Sequence, residues 1–150
     1  MTSSAHPASA GRFQATDTDF VSTITFESPI DRVVSALTDP AGLSRWWVPA
    51  SGSGLQGGEL TFLFPVEKLV VRVDEANRSL VRWTPLVCEP LPDWVGTSIT
   101  FTLRETEEGG SQMVFRHAGL AQLECFELCR KGWEHYLPRL VDYVDAEPAN

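Results

Sequence analysis

Towards the C-terminus, apolar residues recur at the spacing of a helix with about 3.6 residues per turn. Phe126, Cys129, Trp133, Leu137, Leu140 and Val144 fall on one stripe, with Leu123 and Val141 at its edge. Glu124, Glu127, Lys131, Glu134, His135, Asp142 and Asp145 take the other side. The pattern predicts a long helix over roughly 121–145. Pro138 lies inside it on the polar side, where a bend would curl the apolar stripe over the surface it covers. Arg130 lies near the stripe, so its charge either snorkels outward or points at a group beneath the helix.

Upstream the period changes. Phe20, Ile24 and Phe26 alternate with Val21, Thr23 and Thr25 and predict a first strand. Ser28-Pro29 opens a short helix, Ser28 as its cap and Pro29 in its first turn, with Ile30, Val33, Val34 and Leu37 on the apolar face. Asp39-Pro40 stops it, and a second short helix carries Leu43, Trp46 and Trp47. Ser51 to Gly58 reads as a mobile, glycine-rich loop. Further strands are expected over Glu59–Phe64, Leu69–Asp74, Leu80–Thr84, around Ile99–Leu103 and around Met113–His117. Pro85 to Gly96 contains three prolines and reads as a bulged or irregular connection. The short connections imply an antiparallel sheet of about six strands, giving an α+β domain in which a curved sheet wraps a long C-terminal helix.

Composition narrows the class. A chain of 150 residues, 43% hydrophobic and with five tryptophans, is long and apolar enough for one packed domain, expected over 19–146. Residues 1–18 read as a disordered arm and 147–150 as a short tail. The net charge of -8 argues against nucleic acid or an anionic membrane surface as partner, and no apolar run is long enough to span a bilayer. The N-terminal residues lack a basic start and an apolar middle, so a signal peptide is not expected. Three cysteines, an odd number, fit reduced thiols and a cytoplasmic location.

The runs SPIDRVVSALTDPAGLSRWW, a Gly-Gly pair before a strand, VRW, FRHAGL and CRKGWEHYLPRLVDYV resemble the START-like SRPBCC superfamily. More narrowly they are similar to its branch of homologues of the activator of the heat-shock-protein ATPase. The likeness spans about Phe20 to Ala146; Pro138 and the proline-rich 85–92 stretch depart from it. It implies a helix-grip fold with a cavity between sheet and helix. The superfamily hosts binders, cyclases, hydrolases and chaperone cofactors, so the fold does not choose among them.

A cavity of that kind would be lined by Phe62, Phe64, Val71, Val73, Trp83, Phe101, Phe115, Phe126, Trp133 and Leu137, with Trp46 and Trp47 near its mouth. Such walls suit a small apolar or aromatic ligand; equally, these side chains could fill the core. His117 precedes the Ala-Gly turn where the resembling branch carries a histidine. Buried there, it would be either a general base or a histidine bonded at the sheet–helix corner. Cys125 and Cys129 lie one turn apart, and packed thiols are the simpler reading; no metal ligand set and no cofactor are expected. Three functions follow: an apolar-ligand binder, a cofactor-free cyclase- or hydrolase-type enzyme using His117 and Arg130, or a co-chaperone-like ATPase activator acting through its surface. The expected state is a monomer or homodimer, with a chaperone as the candidate protein partner.

Overall fold

A computed structural model describes residues 12–15 and 18–146. Its element order is β1 (Arg12–Ala15), β2 (Phe20–Phe26), α1 (Ile30–Thr38), α2 (Pro40–Trp46), β3 (Ala50–Gly52), β4 (Glu59–Leu63), β5 (Lys68–Ala76), β6 (Leu80–Cys88), β7 (Ser98–Glu105), β8 (Ser111–Ala118) and α3 (Phe126–Asp145). The strands form one open antiparallel sheet in the order β1-β2-β8-β7-β6-β5-β4-β3. Since β2 and β3 lie near opposite ends of that order, α1 and α2 are the crossover between them. The α+β helix-grip architecture is therefore as expected.

The alternation behind it is physical. Phe20, Ile24 and Phe26 on β2, Leu60 and Phe62 on β4, Leu69, Val71 and Val73 on β5, and Val81 and Trp83 on β6 are buried. So are Ile99, Phe101 and Leu103 on β7 and Met113, Phe115 and His117 on β8. All but His117 join the buried α1 and α2 residues and Cys129, Trp133, Leu137, Leu140 and Val144 of α3 in one apolar cluster. One face of the sheet thus packs on the helices, as the period-two pattern requires.

Several local expectations change. Among the described residues the sheet has eight strands, where about six were expected. Residues 12–15, expected within a disordered arm, pair antiparallel with β2 from Arg12↔Thr23 to Ala15↔Phe20; the rest of that arm up to 17 and the 147–150 tail lie outside the described residues. The expected mobile loop at 51–58 begins inside β3 and is then held by the backbone: Gly57 donates to the Val73 carbonyl (2.8 Å) and Val73 donates to the Gly58 carbonyl (2.8 Å). Gly54 lies against the end of α1, where a Cβ would stand 2.0 Å from the Thr38 carbonyl oxygen. Glycine serves close approach here, not mobility. Strand β6 runs straight through Pro85 to Cys88, since a register shift beside Val71 absorbs the proline's missing N–H. The final helix starts at Phe126, preceded by a 3-10 turn at Leu120–Gln122.

Ser28 does not cap α1. Its hydroxyl lies 2.7 Å from an Asp145 carboxylate oxygen and 3.1 Å from the Val144 carbonyl. Asp145 also accepts the Glu27 N–H (3.0 Å) and the Ser28 N–H (3.1 Å). The carboxylate at the unfavourable end of the α3 dipole is thereby engaged by three donors and ties the end of α3 to the entry of α1. Asp145→Ala is expected to cost about 1–3 kcal/mol in urea unfolding, since it strands those donors; an unchanged midpoint would refute this role.

Candidate functional site

Strands β6 and β7 stay paired only from Leu80↔Thr102 to Trp83↔Ile99. Beyond Trp83, β6 continues to Cys88 and the chain returns through the 3-10 turn Pro92–Trp94. That return segment stands against the first turns of α3, and the gap between them is an apolar groove of about 210 Å³. Its walls are Trp47, Phe64, Cys88, Pro90, Leu91 and Trp94 on one side and Leu128, Cys129, Gly132, Trp133 and Tyr136 of α3 on the other. Among the described residues no charged side chain lines it.

Of the two arrangements the sequence left open, a deep cavity and a filled core, most of the candidate wall residues form the filled core, and the open space is this groove. Trp83, Phe62, Phe101, Phe115, Val71, Val73 and Leu137 have no exposed surface and form core rather than walls. The tryptophans do the filling. The Trp47 ring lies parallel to Trp83 (6.2 Å, 1°), 4.4 Å from Phe62 and 5.2 Å from Trp133. Trp83 meets Phe101 edge-on at 4.9 Å, and Phe115 lies 4.6 Å from Trp133. Such offset and edge-to-face pairs pack densely. Trp46 is buried away from any mouth, donating its indole N–H to the Ala36 carbonyl (2.9 Å) while Arg139 Nε donates to its own carbonyl (3.2 Å). Phe126 is half-buried at the core edge and does not line the groove. Of the predicted lining residues, Trp47, Phe64 and Trp133 do reach it.

Arg130 is drawn outward. It binds Glu127 (2.6 Å) and Glu134 (2.8 Å) on its own helix and points at no cavity group. Both partners sit at helical spacings that favour such pairs over an inward path.

His117 is fully buried and fully bonded. Trp133 Nε1–H, which can only donate, lies 3.1 Å from His117 Nδ1, so Nδ1 accepts. The proton is therefore on Nε2, which donates to Thr97 Oγ1 (2.9 Å), and that hydroxyl donates to the Trp94 carbonyl (2.7 Å). Burial, only weakly opposed by the charge of Asp19, pushes the His117 pKa down to about 3. Neither nitrogen is free for a substrate, so the general-base role gives way to a structural one. Against the pull of partial burial, Gly119 N–H, the Thr18 hydroxyl and Arg116 hold Asp19 below the usual carboxylate range, fixing the turn after His117.

The network continues through sulfur. Trp94 Nε1–H donates to Cys129 Sγ (3.2 Å), whose thiol faces Cys125 Sγ at 3.0 Å. Burial pushes Cys129 up to about 12 and raises Cys88 as well, so both groove thiols stay neutral. All three cysteines are free, and among the described residues no cluster of three or more His, Cys, Asp or Glu is placed to hold a metal. Sequence reasoning had no signal that Cys88, Leu91 and Trp94 would meet α3, because a proline-rich return carries no period to read.

Residues 27–145 match the family described as activator of Hsp90 ATPase homolog 1-like protein. The chain belongs to that family. Among solved structures, the Aha1 dimer from Colwellia psychrerythraea aligns with a TM-score of 0.74 at 24% identity, over 85% of this chain and 96% of that one. CalU16 from Micromonospora echinospora aligns at 0.68 and 22% identity, over 87% and 76%. Protein MLL2253 from Mesorhizobium loti aligns at 0.70 and 18%, over 87% and 98%. At these identities the likeness shows the shared fold. No curated protein matches the chain.

The state of His117 has a pH consequence. Unfolded, the imidazole takes up a proton near pH 6.5; folded, it stays neutral down to about pH 3. The unfolded chain binds the extra proton in that window, so this stability is complete above pH 6.5 and declines as pH falls. The slope due to this one group approaches about 1.4 kcal/mol per pH unit. Unfolding free energies of wild type and His117→Gln, measured from pH 7 to about 5, should converge as pH falls; parallel curves would contradict a buried neutral imidazole.

Proposed function

We propose that this member of the Hsp90 ATPase activator-like family binds a small, uncharged, apolar or aromatic molecule in the groove between α3 and the Cys88–Trp94 segment. The observation that carries this reading is the groove itself: about 210 Å³, bounded by three indoles, two further aromatic rings and neutral thiols. Apolar cavities of about 150 Å³ take a benzene-sized ring, and drug-sized ligands need about 300–1,000 Å³. Its volume suits a compact ligand. The catalytic alternative has less support, since His117 is saturated and Arg130 faces its own glutamates. Three free cysteines favour a reducing, cytoplasmic setting, and no helix among the described residues is long and apolar enough to cross a membrane.

A second reading, surface contact with a chaperone or a second copy, draws on a different feature. Beside the groove lies a wide open depression that includes Val48, Leu63, Pro65 and Val66, and Leu63 and Val66 are exposed. Exposed apolar surface of this kind favours protein contacts. The Colwellia relative is described as a dimer.

The binding reading is tested by titrating the full chain with naphthalene and following tryptophan fluorescence. Saturable quenching is expected. Leu128 lines the groove yet is largely exposed, so Leu128→Glu should leave the fold intact and weaken binding several-fold by placing a carboxylate at an apolar rim. No saturable quenching by naphthalene in the wild type would remove the proposal.

A further inference from the structure

Gly132 lies in the interior of α3, where glycine is the least favoured residue after proline. A packing reason would normally explain it. Among the described residues none is found: apart from the adjacent backbone of its own helix, a Cβ built at Gly132 meets no atom within 4 Å. Its neighbours one turn away on either side, Leu128 and Tyr136, line the groove as Gly132 does. The three form a single ridge along the helix with its middle side chain missing. The gap opens onto the groove, so the helix backbone itself is one wall.

We infer that Gly132 is a specificity-determining residue, a notch that lets a planar, uncharged aromatic molecule of one or two fused rings lie against the α3 backbone. This rests on the binding reading above and adds where the ligand sits and what shape it has. The remaining walls agree. Trp94 and Trp133 are near-parallel, 16° apart with centroids at 5.9 Å, and present flat surfaces. Their N–H groups are already committed to Cys129 and His117, so neither indole selects a ligand by donating to it. Recognition comes from ring faces and exclusion of water, and a charged ligand would lose its hydration without a counter-charge. A methyl group at position 132 would lift any ring off the backbone and break that fit.

The test uses the full chain with naphthalene and 1-naphthoate as probes and thermal unfolding as the control. Gly132→Ala is expected to raise Tm, because the new methyl improves helix propensity and meets no clash. The same variant should lose naphthalene affinity by about tenfold or more, and wild type should prefer naphthalene over 1-naphthoate. Stabilisation with loss of binding is the signature of a notch. Wild-type-like affinity in Gly132→Ala, or equal affinity for the two probes, overturns the inference while leaving groove binding in place. Failure of wild type to bind naphthalene removes both. A measurement independent of any variant is the intermolecular NOE between naphthalene protons and Gly132 Hα in the wild-type complex; it is expected, and its absence from a saturated complex overturns the notch.

Discussion

The structure turns on one buried hydrogen bond, from the Trp133 indole to His117. Trp133 sits at the centre of the α3 stripe and cannot leave its N–H unpaired without a cost of about 1–3 kcal/mol. His117 Nδ1 accepts it, which places the imidazole proton on Nε2 and sends it to Thr97. Thr97 then holds the Trp94 carbonyl, and Trp94 reaches across to Cys129. Helix, sheet and return segment are thus joined by donors and acceptors threaded through an aromatic core. The relay is complete only while His117 is neutral, which its burial ensures.

That relay also decides where space remains. With Trp133 pinned to β8 through His117, and Trp47 inserted between Trp83 and Trp133, the interior between sheet and helix is full. The Cys88–Trp94 segment is held near α3 by the Trp94–Cys129 contact, and the interval beside Gly132, which carries no side chain, stays open. The groove is therefore peripheral, formed where β6 and β7 part. Its lining is hydrophobic without being reactive: the thiols are protonated and the histidine is behind the wall.

Much of this architecture could be read from periodicity. Alternation on Leu60–Phe62, Leu69–Val73, Ile99–Leu103 and Met113–His117, and the helical stripe through Trp133, grouped residues that the structure buries together, although alternation by itself does not say which face of a strand is inward. Period alone did not separate a cavity wall from a filled core, since Phe101 and Trp83 look the same either way. That distinction depends on how large rings interlock in three dimensions. Tertiary bonding also overrode local propensity at Ser28, which looked like a helix cap but bonds the far end of α3. At Pro85 a bulge in β6 itself, with Leu86 as its extra residue, let the strand continue where proline argued against a regular one. Arg130 was ambiguous in sequence because two glutamates at helical spacing and an apolar stripe competed for it; the glutamates won.

The central claim is that aromatic packing fills the sheet–helix interior and leaves apolar space at its edge, in the groove. Xenon occupies small apolar voids, so crystals of the full chain pressurised with xenon test it most directly. The account predicts xenon between Trp94, Leu91 and Trp133, beside Gly132, and none among Trp83, Phe62 and Phe101. Xenon density among those three core rings would show an interior cavity and contradict the account.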